Sequence, residues 1–188
     1  NDVVTRGDFA AMVAKTFDYG PSSRSSFADV EGHPAANYIS GLVQAEVLPT
    51  GELFRPDDPI TRGEAADMVI AALGLREASG HLPESPTTFQ DVEPEHPYRG
   101  AIELANILGV LPPAFTNRFH PESHLTRGEA AAMLRGSGVL SVTKGTVASV
   151  NNYFSSLTVN TLEGTKLELT LQPDTTIFRN NVPSQLQH

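Results

Sequence analysis

The chain of 188 residues contains no cysteine. Disulfide frameworks, thiolate metal sites and cysteine nucleophiles are therefore excluded. Its apolar runs stay well short of the roughly 18 residues that a membrane span needs, so we expect no membrane-spanning segment. The charged and apolar regions of a signal peptide are also absent, which predicts a mature chain or an excised fragment. The lack of cysteine fits the cytoplasm as well as the outside of a Gram-positive cell.

Positive charge is scarce too. The chain has 13 lysines and arginines against 22 acidic residues, which gives a net charge of −9. This balance argues against nucleic acid as a partner. From residue 140 onward the charges cancel, so the excess of negative charge lies in the preceding part of the chain. An anionic ligand would have to be met there by a few well-placed arginines rather than by a general positive field.

One five-residue motif occurs three times in the chain, at residues 4–8, 60–64 and 125–129. Each copy has threonine, arginine, glycine and an acid in succession. This is the pattern of a helix start, in which threonine caps the first amides and the acid bonds back to the N–H of the threonine. The sequence therefore predicts equivalent helices that begin near Thr5, Thr61 and Thr126.

Apolar residues behind each cap recur at the spacing of a buried helix face. When the three copies are overlaid, the chain's only three methionines fall on one position. We therefore expect the three helices to meet in one bundle and to bury these flexible side chains together near its pseudo-threefold axis. The methionines are Met12, Met68 and Met133.

A longer series of motifs recurs around this five-residue motif. Phe-x-Asp-Val occurs at 27–30 and 89–92, each time followed by a His-Pro turn and a second type of helix. Two repeats are complete, at 27–79 and 89–138, and only the second half of another is present, at 1–20. The sequence thus predicts a repeat region over residues 1–139.

The tail has a different period. Short stretches at 147–150, 157–161, 166–171 and 176–178 alternate partly between apolar and polar residues and are separated by turn residues. They predict a small antiparallel β domain over residues 140–188 with no long helix. We expect this domain to pack on the helices or to continue into further sequence.

Three motifs follow one another in tandem: Phe-x-Asp-Val, His-x-Ala-x-x-Tyr-Ile and Phe-x-Pro-x-x-x-Ile-Thr-Arg-Gly-Glu. Over roughly residues 1–138 this order resembles the S-layer homology family. The resemblance implies a mainly α fold, in which the repeats form a pseudo-threefold helical bundle with grooves between them, ahead of the small β part. It also implies an extracellular protein, in the cell wall or S-layer of a bacterium, that binds secondary cell-wall polysaccharide, often pyruvylated.

The resemblance further implies that the helix starts and the turns before them supply the ligand-binding residues. Where the family commonly has tryptophan after the histidine, this chain has Pro34 and Pro97, and it contains no tryptophan. The candidate ligand-binding residues are Arg6, Arg62, Arg127, Asp29, Asp91, Thr61, Thr126, Glu64 and Glu129.

Two interpretations of the arginines are open. Each arginine projects from a helix N-terminus, where free amides and the helix dipole suit an anion such as a pyruvyl carboxylate. Alternatively, each pairs with Asp57, Asp58 or Glu122 and braces the repeat. The aspartates of the Phe-x-Asp-Val motifs, Asp29 and Asp91, are likewise either groove ligands or caps of the helix that follows.

Other chemistry is not expected. His120 and His124 lie four residues apart, but Pro121 disfavours a helix there, so the pair does not predict a zinc site. His33 and His96 have no second ligand at metal spacing. No carboxylate pair or nucleophile elbow marks a catalytic site. We therefore expect no metal, no cofactor and no enzyme activity.

Three functions remain as hypotheses. The leading one is non-catalytic anchoring of a bacterial surface protein to the cell wall. The first alternative is an anchoring fragment of a surface polysaccharide-active enzyme. The second is a purely structural module that self-associates in an S-layer.

Overall fold

The computed structural model describes residues 2–23, 27–80, 82, 88–140, 145–151, 155–162, 164–172, 177–179 and 182–184. The chain divides into two compact units, Asn1–Leu140 and Ser141–His188. The first is helical and the second is built of strands, so the predicted mainly α fold with a small β part at the C-terminal end is confirmed. No helix within the described residues has the length and apolar character needed to cross a bilayer.

The first unit contains two kinds of helix. The three helices that begin within a Thr-Arg-Gly motif are α1, α3 and α6, and each contacts the other two. α2 packs against α1, and α5 packs against α3. The helices are α1 (Arg6–Thr16), α2 (Ala36–Gln44), α3 (Arg62–Ala72), α4 (Arg76–Gly80), α5 (Arg99–Ile107) and α6 (Arg127–Gly138).

A closed ring of backbone hydrogen bonds marks the pseudo-threefold axis. The N–H of Val4 donates to the carbonyl of Leu125 (2.9 Å), that of Leu125 to Ile60 (2.9 Å), and that of Ile60 to Val4 (3.0 Å). All three side chains are completely buried. Because each of these residues immediately precedes a capping threonine, the ring fixes the three helix starts around one centre, as the repeated motif predicts.

The expectation for the methionines is only partly correct. Met68 and Met133 are buried, but Met12 is partly exposed at the edge of the core. α1 carries Phe9 where α3 and α6 carry Ala65 and Ala130, and the ring of Phe9 is completely buried. The larger side chain fills interior space in this helix, so its methionine lies further out.

The helices α2, α3 and α5 end in the same backbone conformation. Each helix is followed by a residue in the left-handed conformation: Glu46 (φ 60°), Gly74 (φ 71°) and Gly109 (φ 67°). The amides of this residue and the next donate back to the last turn, which is the Schellman arrangement. The short helix α4, which was not predicted, follows Gly74.

The second unit is an antiparallel β structure. Its first three strands form a sheet in the order β1-β2-β3, and the last two form a separate pair. The predicted antiparallel arrangement is confirmed, while β5 was not predicted. The strands are β1 (Gly145–Asn151), β2 (Ser156–Thr161), β3 (Lys166–Thr170), β4 (Ile177–Arg179) and β5 (Val182–Ser184).

Candidate functional site

Each capped helix starts against the segment that precedes the next one. At α3, the N–H of Arg62 donates to the carbonyl of Ser123 (2.9 Å) and that of Gly63 to Pro121 (2.9 Å). The first amides of α1 make the same bonds to residues 58 and 56. The expectation that these N-termini offer free amides to an anion is therefore wrong for α1 and α3, because backbone carbonyls already occupy them.

The capping threonines and acids make the predicted local bonds, with one exception. Thr61 accepts from the N–H of Glu64 (3.2 Å), and the Glu64 carboxylate accepts from the N–H of Thr61 (2.9 Å). Thr126 and Glu129 do the same, at 3.3 and 2.9 Å. In α1 only the bond from the N–H of Asp8 to the hydroxyl oxygen of Thr5 is present. Aspartate replaces glutamate there, and its side chain is one methylene shorter.

The arginines of α1 and α3 pair with the capping glutamate of the next helix. Arg62 donates through Nη2 to Glu129 Oε1 (2.6 Å) and through Nη1 to the carbonyl of Phe119 (3.2 Å). Arg6 pairs with Glu64 in the same way and donates through Nε to the carbonyl of Phe54 (2.8 Å). The bracing interpretation is thus correct in kind for these two arginines, but the partners are not Asp57, Asp58 or Glu122.

The ion pair between Arg62 and Glu129 favours the ionised form of the glutamate. Burial alone would raise the pKa of Glu129, but the hydrogen bonds from Arg62 and from Thr126 outweigh it and hold this pKa below its usual value. The Arg62 side chain is only 17% exposed, and its Nε is buried without a hydrogen-bond partner among the described residues.

Arg127 differs from the other two arginines. Its residue is exposed, and within the described residues its side chain has no hydrogen-bond or ion-pair partner. Its backbone N–H donates to the carbonyl of Asp2 (3.0 Å). The three arginines are therefore equivalent in sequence but not in environment.

Asp29 and Asp91 hold the turns that lead into α3 and α6. Asp91 accepts from the amides of Phe119 and His120, both at 2.9 Å, and Asp29 accepts from those of the equivalent residues 54 and 55, at 2.8 and 2.6 Å. Desolvation would raise the pKa of each aspartate, but the backbone donors lower both below the usual value. Neither aspartate caps a local helix, so that expectation is wrong.

The histidines of the His-Pro turns are fixed on both ring nitrogens. His96 accepts the N–H of Tyr98 at Nδ1 (3.2 Å) and its Nε2 lies 3.0 Å from Glu122 Oε1. His33 makes the equivalent contacts, with the N–H of Ala35 (3.0 Å) and with Asp57 (3.4 Å). The acids next to the helix starts thus pair with histidine rather than with arginine. No group suited to hold a metal ion occurs within the described residues.

Three grooves open at these junctions, and we name each by its arginine. The Arg6 groove has a volume of about 340 Å³, the Arg62 groove about 550 Å³ and the Arg127 groove about 510 Å³. Thr61 and Glu64 line the first, Glu129 lines the second and third, and Thr126 lines the third. Asp29 and Asp91 line none of the three but fix their walls through the turns described above.

The Arg62 groove also contains residues that the sequence did not single out. The link between the helices is two residues longer from Pro112 to Phe119 than from Pro49 to Phe54. This longer link places the ring of Phe115 over the Arg62 guanidinium, 4.8 Å from its carbon to the ring centroid. The difference in link length was visible in the sequence, but nothing there indicated which side chain would enter the groove.

Comparison with known proteins agrees with this geometry. Residues 26–66 and 88–131 match the family model of the S-layer homology domain. The chain carries tandem S-layer homology domains. Such domains are cell-surface anchoring modules that bind cell-wall polymers, and they imply association with the surface of a bacterial cell.

Two relatives are longer proteins that bear enzyme names. The chain is 31% identical over 140 residues to amylopullulanase of Thermoanaerobacterium thermosulfurigenes and 29% identical over 137 residues to exoglucanase XynX of Acetivibrio thermocellus. The matches cover 72% and 71% of this chain but only 8% and 13% of the relatives. The similarity is therefore to one small part of each enzyme.

Proposed function

We propose that this chain is a non-catalytic module that anchors a bacterial surface protein to the cell wall by binding secondary cell-wall polysaccharide in the grooves between its S-layer homology repeats. In this proposal the repeat region covers 1–139, with a half repeat at 1–20 and full repeats at 27–79 and 89–138. The β domain at 140–188 takes no part in binding.

The observation that carries the proposal is the Arg62 groove. It combines a volume that accommodates a sugar unit with an arginine, an aromatic ring and amide and hydroxyl side chains. Sugars offer hydroxyl groups for polar contacts and apolar C–H faces for aromatic rings, and acidic substituents suit arginine. In a chain of net charge −9, such a local arrangement is what an anionic glycan requires.

The test is co-sedimentation of the intact chain with cell-wall sacculi purified from Acetivibrio thermocellus. Half of the preparation is first treated chemically to remove the secondary polymer. We expect the chain to sediment with untreated sacculi and to stay in solution with treated ones. Equal sedimentation with both would contradict polysaccharide binding, and sedimentation without any sacculi would instead support the self-associating S-layer module.

The arginines can be tested on the same preparation. Arg127→Ala is expected to weaken binding by about tenfold to a hundredfold, the value of a charge-assisted contact. Arg62→Ala is also expected to weaken binding, because Arg62 holds the groove wall through Glu129 and the carbonyl of Phe119. Arg→Lys is expected to restore binding only in part, because lysine keeps the charge but loses the planar fork. Melting temperatures of the same samples separate binding from bracing. If the double Arg→Ala variant binds at full strength, the arginine grooves are not the binding site.

The relatives support a wider setting for this anchor. Both matched proteins bear enzyme names, and in both the matched stretch is a small fraction of the length. We propose that this chain, too, serves as the anchoring part of a surface polysaccharide-active enzyme. An assay of sacculus-bound polysaccharide hydrolysis by an enzyme that carries this chain, with and without residues 1–139, would test this setting.

A further inference from the structure

The three grooves differ in their balance of charge. The Arg62 groove is lined by two arginines, Arg62 and Arg118, and by a single acid, Glu129. The Arg6 groove has two arginines and two acids, and the Arg127 groove has one arginine and two acids. The Arg62 groove is therefore the one of these three in which positive charge prevails, although the whole chain is strongly negative.

Within this groove the arginine that is free to meet an anion is Arg118. The guanidinium of Arg62 already pairs with Glu129, donates to a carbonyl and packs against an aromatic ring. Arg118 is exposed, and within the described residues it has no hydrogen-bond or ion-pair partner. A ligand carboxylate can therefore bind Arg118 without displacing an existing contact.

Phe115 provides an apolar surface in the same groove. Its ring packs edge-on against Phe119, with 5.2 Å between centroids, and lies over Arg62, yet the residue remains partly exposed. Around it the groove is lined by polar side chains that can donate to or accept from hydroxyl groups. A pyranose has this character, with an apolar C–H face and a polar rim. The polar residues are Gln90, Thr116 and Asn117.

The Arg6 groove differs in both features. Leu53 stands at the position equivalent to Arg118, and the shorter link from Pro49 to Phe54 has no counterpart of Phe115. Arg6 packs instead on the buried ring of Phe54, 5.0 Å from its centroid. The chain therefore contains its own control groove, with the same bracing bonds and a second arginine, Arg55, but with no arginine at the position of Arg118 and no additional ring.

We propose that the link Pro112–Phe119 makes the Arg62 groove the subsite for an acidic sugar, with Phe115 against the sugar ring and Arg118 paired with the acidic substituent. Arg62 then acts as a positioning residue, which holds the Phe115 ring and the groove wall in place. This inference rests on the proposed binding of cell-wall polysaccharide and names the residues that select its acidic unit.

The experiment measures the affinity of the intact chain for untreated Acetivibrio thermocellus sacculi. Arg118→Ala is expected to weaken binding by about tenfold to a hundredfold, and Arg118→Lys to recover part of it. Phe115→Ala is expected to weaken binding by about threefold to tenfold, with Phe115→Tyr close to wild type. The matched controls Leu53→Ala and Arg55→Ala, in the Arg6 groove, are expected to change affinity less than twofold.

The outcomes separate the two proposals. If the wild-type chain binds treated and untreated sacculi equally, the proposed function fails and this inference fails with it. If the wild-type chain binds selectively but Arg118→Ala and Phe115→Ala bind as well as it does, only this inference is overturned. Phe115→Leu keeps the apolar contact with Phe119 but loses the flat ring, so its reduced binding at an unchanged melting temperature would support the proposal even if Phe115→Ala fails to fold.

Discussion

The junction at Arg6 and the junction at Arg62 share one framework. At both, an arginine pairs with the capping glutamate of the next helix and donates to the carbonyl of a buried phenylalanine. At both, that phenylalanine packs against the ring of a Phe-x-Asp-Val motif, with centroids 5.3 Å apart in one case and 5.4 Å in the other. The framework is therefore a property of the repeat.

The two junctions differ in what the framework presents to solvent. The link before α6 is longer by two residues and adds an aromatic ring and an unpaired arginine to its groove. The link before α3 adds neither. The comparison teaches that the repeated motifs build and brace the junction, while the link that varies between repeats determines what the groove can bind. The predictions below test this division.

The largest expected effect is on the phenylalanine at the centre of each junction. Phe54→Ala and Phe119→Ala are each expected to lower the free energy of unfolding by about 3–5 kcal/mol, because both side chains are buried. The two losses should be similar, since Phe119 contacts Phe89 and Phe115 while Phe54 contacts Phe27 and the Arg6 guanidinium. Urea denaturation measures both values, and losses that differ by more than about 1.5 kcal/mol would contradict a shared framework.

A smaller effect is expected at the glycine that follows each arginine. A methyl group on Gly63 would lie 2.8 Å from the Tyr98 ring, whereas one on Gly128 would meet nothing within 4 Å. Gly63→Ala is therefore expected to destabilise the protein, because overpacking of about 1–3 kcal/mol exceeds the gain in helix propensity. Gly128→Ala should stabilise it by up to about 1 kcal/mol.

Thermal melting with calorimetry distinguishes the two glycine variants. Gly7→Ala serves as a second test of the crowded kind, since its methyl would lie 2.7 Å from the His33 ring. Changes of the same sign at Gly63 and Gly128 would show that the helix start, rather than its neighbour across the junction, decides the effect.

How far the sequence predicted this molecule depends on the range of the contacts. The caps at Thr61 and Thr126 and the antiparallel tail depend on residues close in the chain, and they were predicted correctly. Arg62 and Glu129 are 67 residues apart, and their pairing could not be read from local spacing. The expectation of free amides at the starts of α1 and α3 was wrong for the same reason, because the carbonyls that occupy them come from the next repeat.

The groove residues show the same limit. The repeats could be aligned, and the two additional residues before Phe119 were visible in that alignment. What a longer link does with its side chains depends on the surface it crosses, so Phe115 and Arg118 could not be selected from the sequence. Of the motif residues, Arg6, Arg62, Asp29 and Asp91 are engaged in bracing bonds, whereas Arg127 is exposed.

Acid is expected to weaken both junctions through Asp29 and Asp91. Folding lowers the pKa of each aspartate, because the backbone N–H bonds outweigh the opposing effect of desolvation. Their stabilising contribution is therefore complete above the unfolded-state pKa, about 3.9, and disappears as the pH falls through the lower folded-state value. The difference in unfolding free energy between wild type and Asp91→Asn should be largest at pH 7 and shrink below about pH 4.

Substitution of the two aspartates also compares the two junctions directly. Both accept two backbone amides, so for Asp29→Asn and Asp91→Asn alike the difference from wild type should shrink as the pH falls below about 4. Asp91 additionally lies 3.2 Å from Nδ1 of His120. Urea titrations at pH 7, 4 and 3 provide the measurement. A difference from wild type that grows as the pH falls, at either site, would show that the carboxylate does not stabilise its turn in the ionised form.

The smallest effect is expected at the ends of α2 and α5, where the two repeats have different residues in one conformation. Glu46 and Gly109 both adopt a left-handed backbone, with φ of 60° and 67°, and both donate to the carbonyl three residues earlier at 3.0 Å. A residue with a Cβ atom is strained in this conformation by about 1 kcal/mol, whereas glycine is not. Glu46→Gly is therefore expected to raise the free energy of unfolding by about 0.5–1 kcal/mol, and Gly109→Glu to lower it by a similar amount.

Glu46→Ala is the matched control, because it removes the carboxylate but keeps the Cβ atom and so should leave stability nearly unchanged. If Glu46→Ala stabilises the protein as much as Glu46→Gly does, the gain comes from the lost charge in a strongly negative chain, and the backbone explanation is wrong.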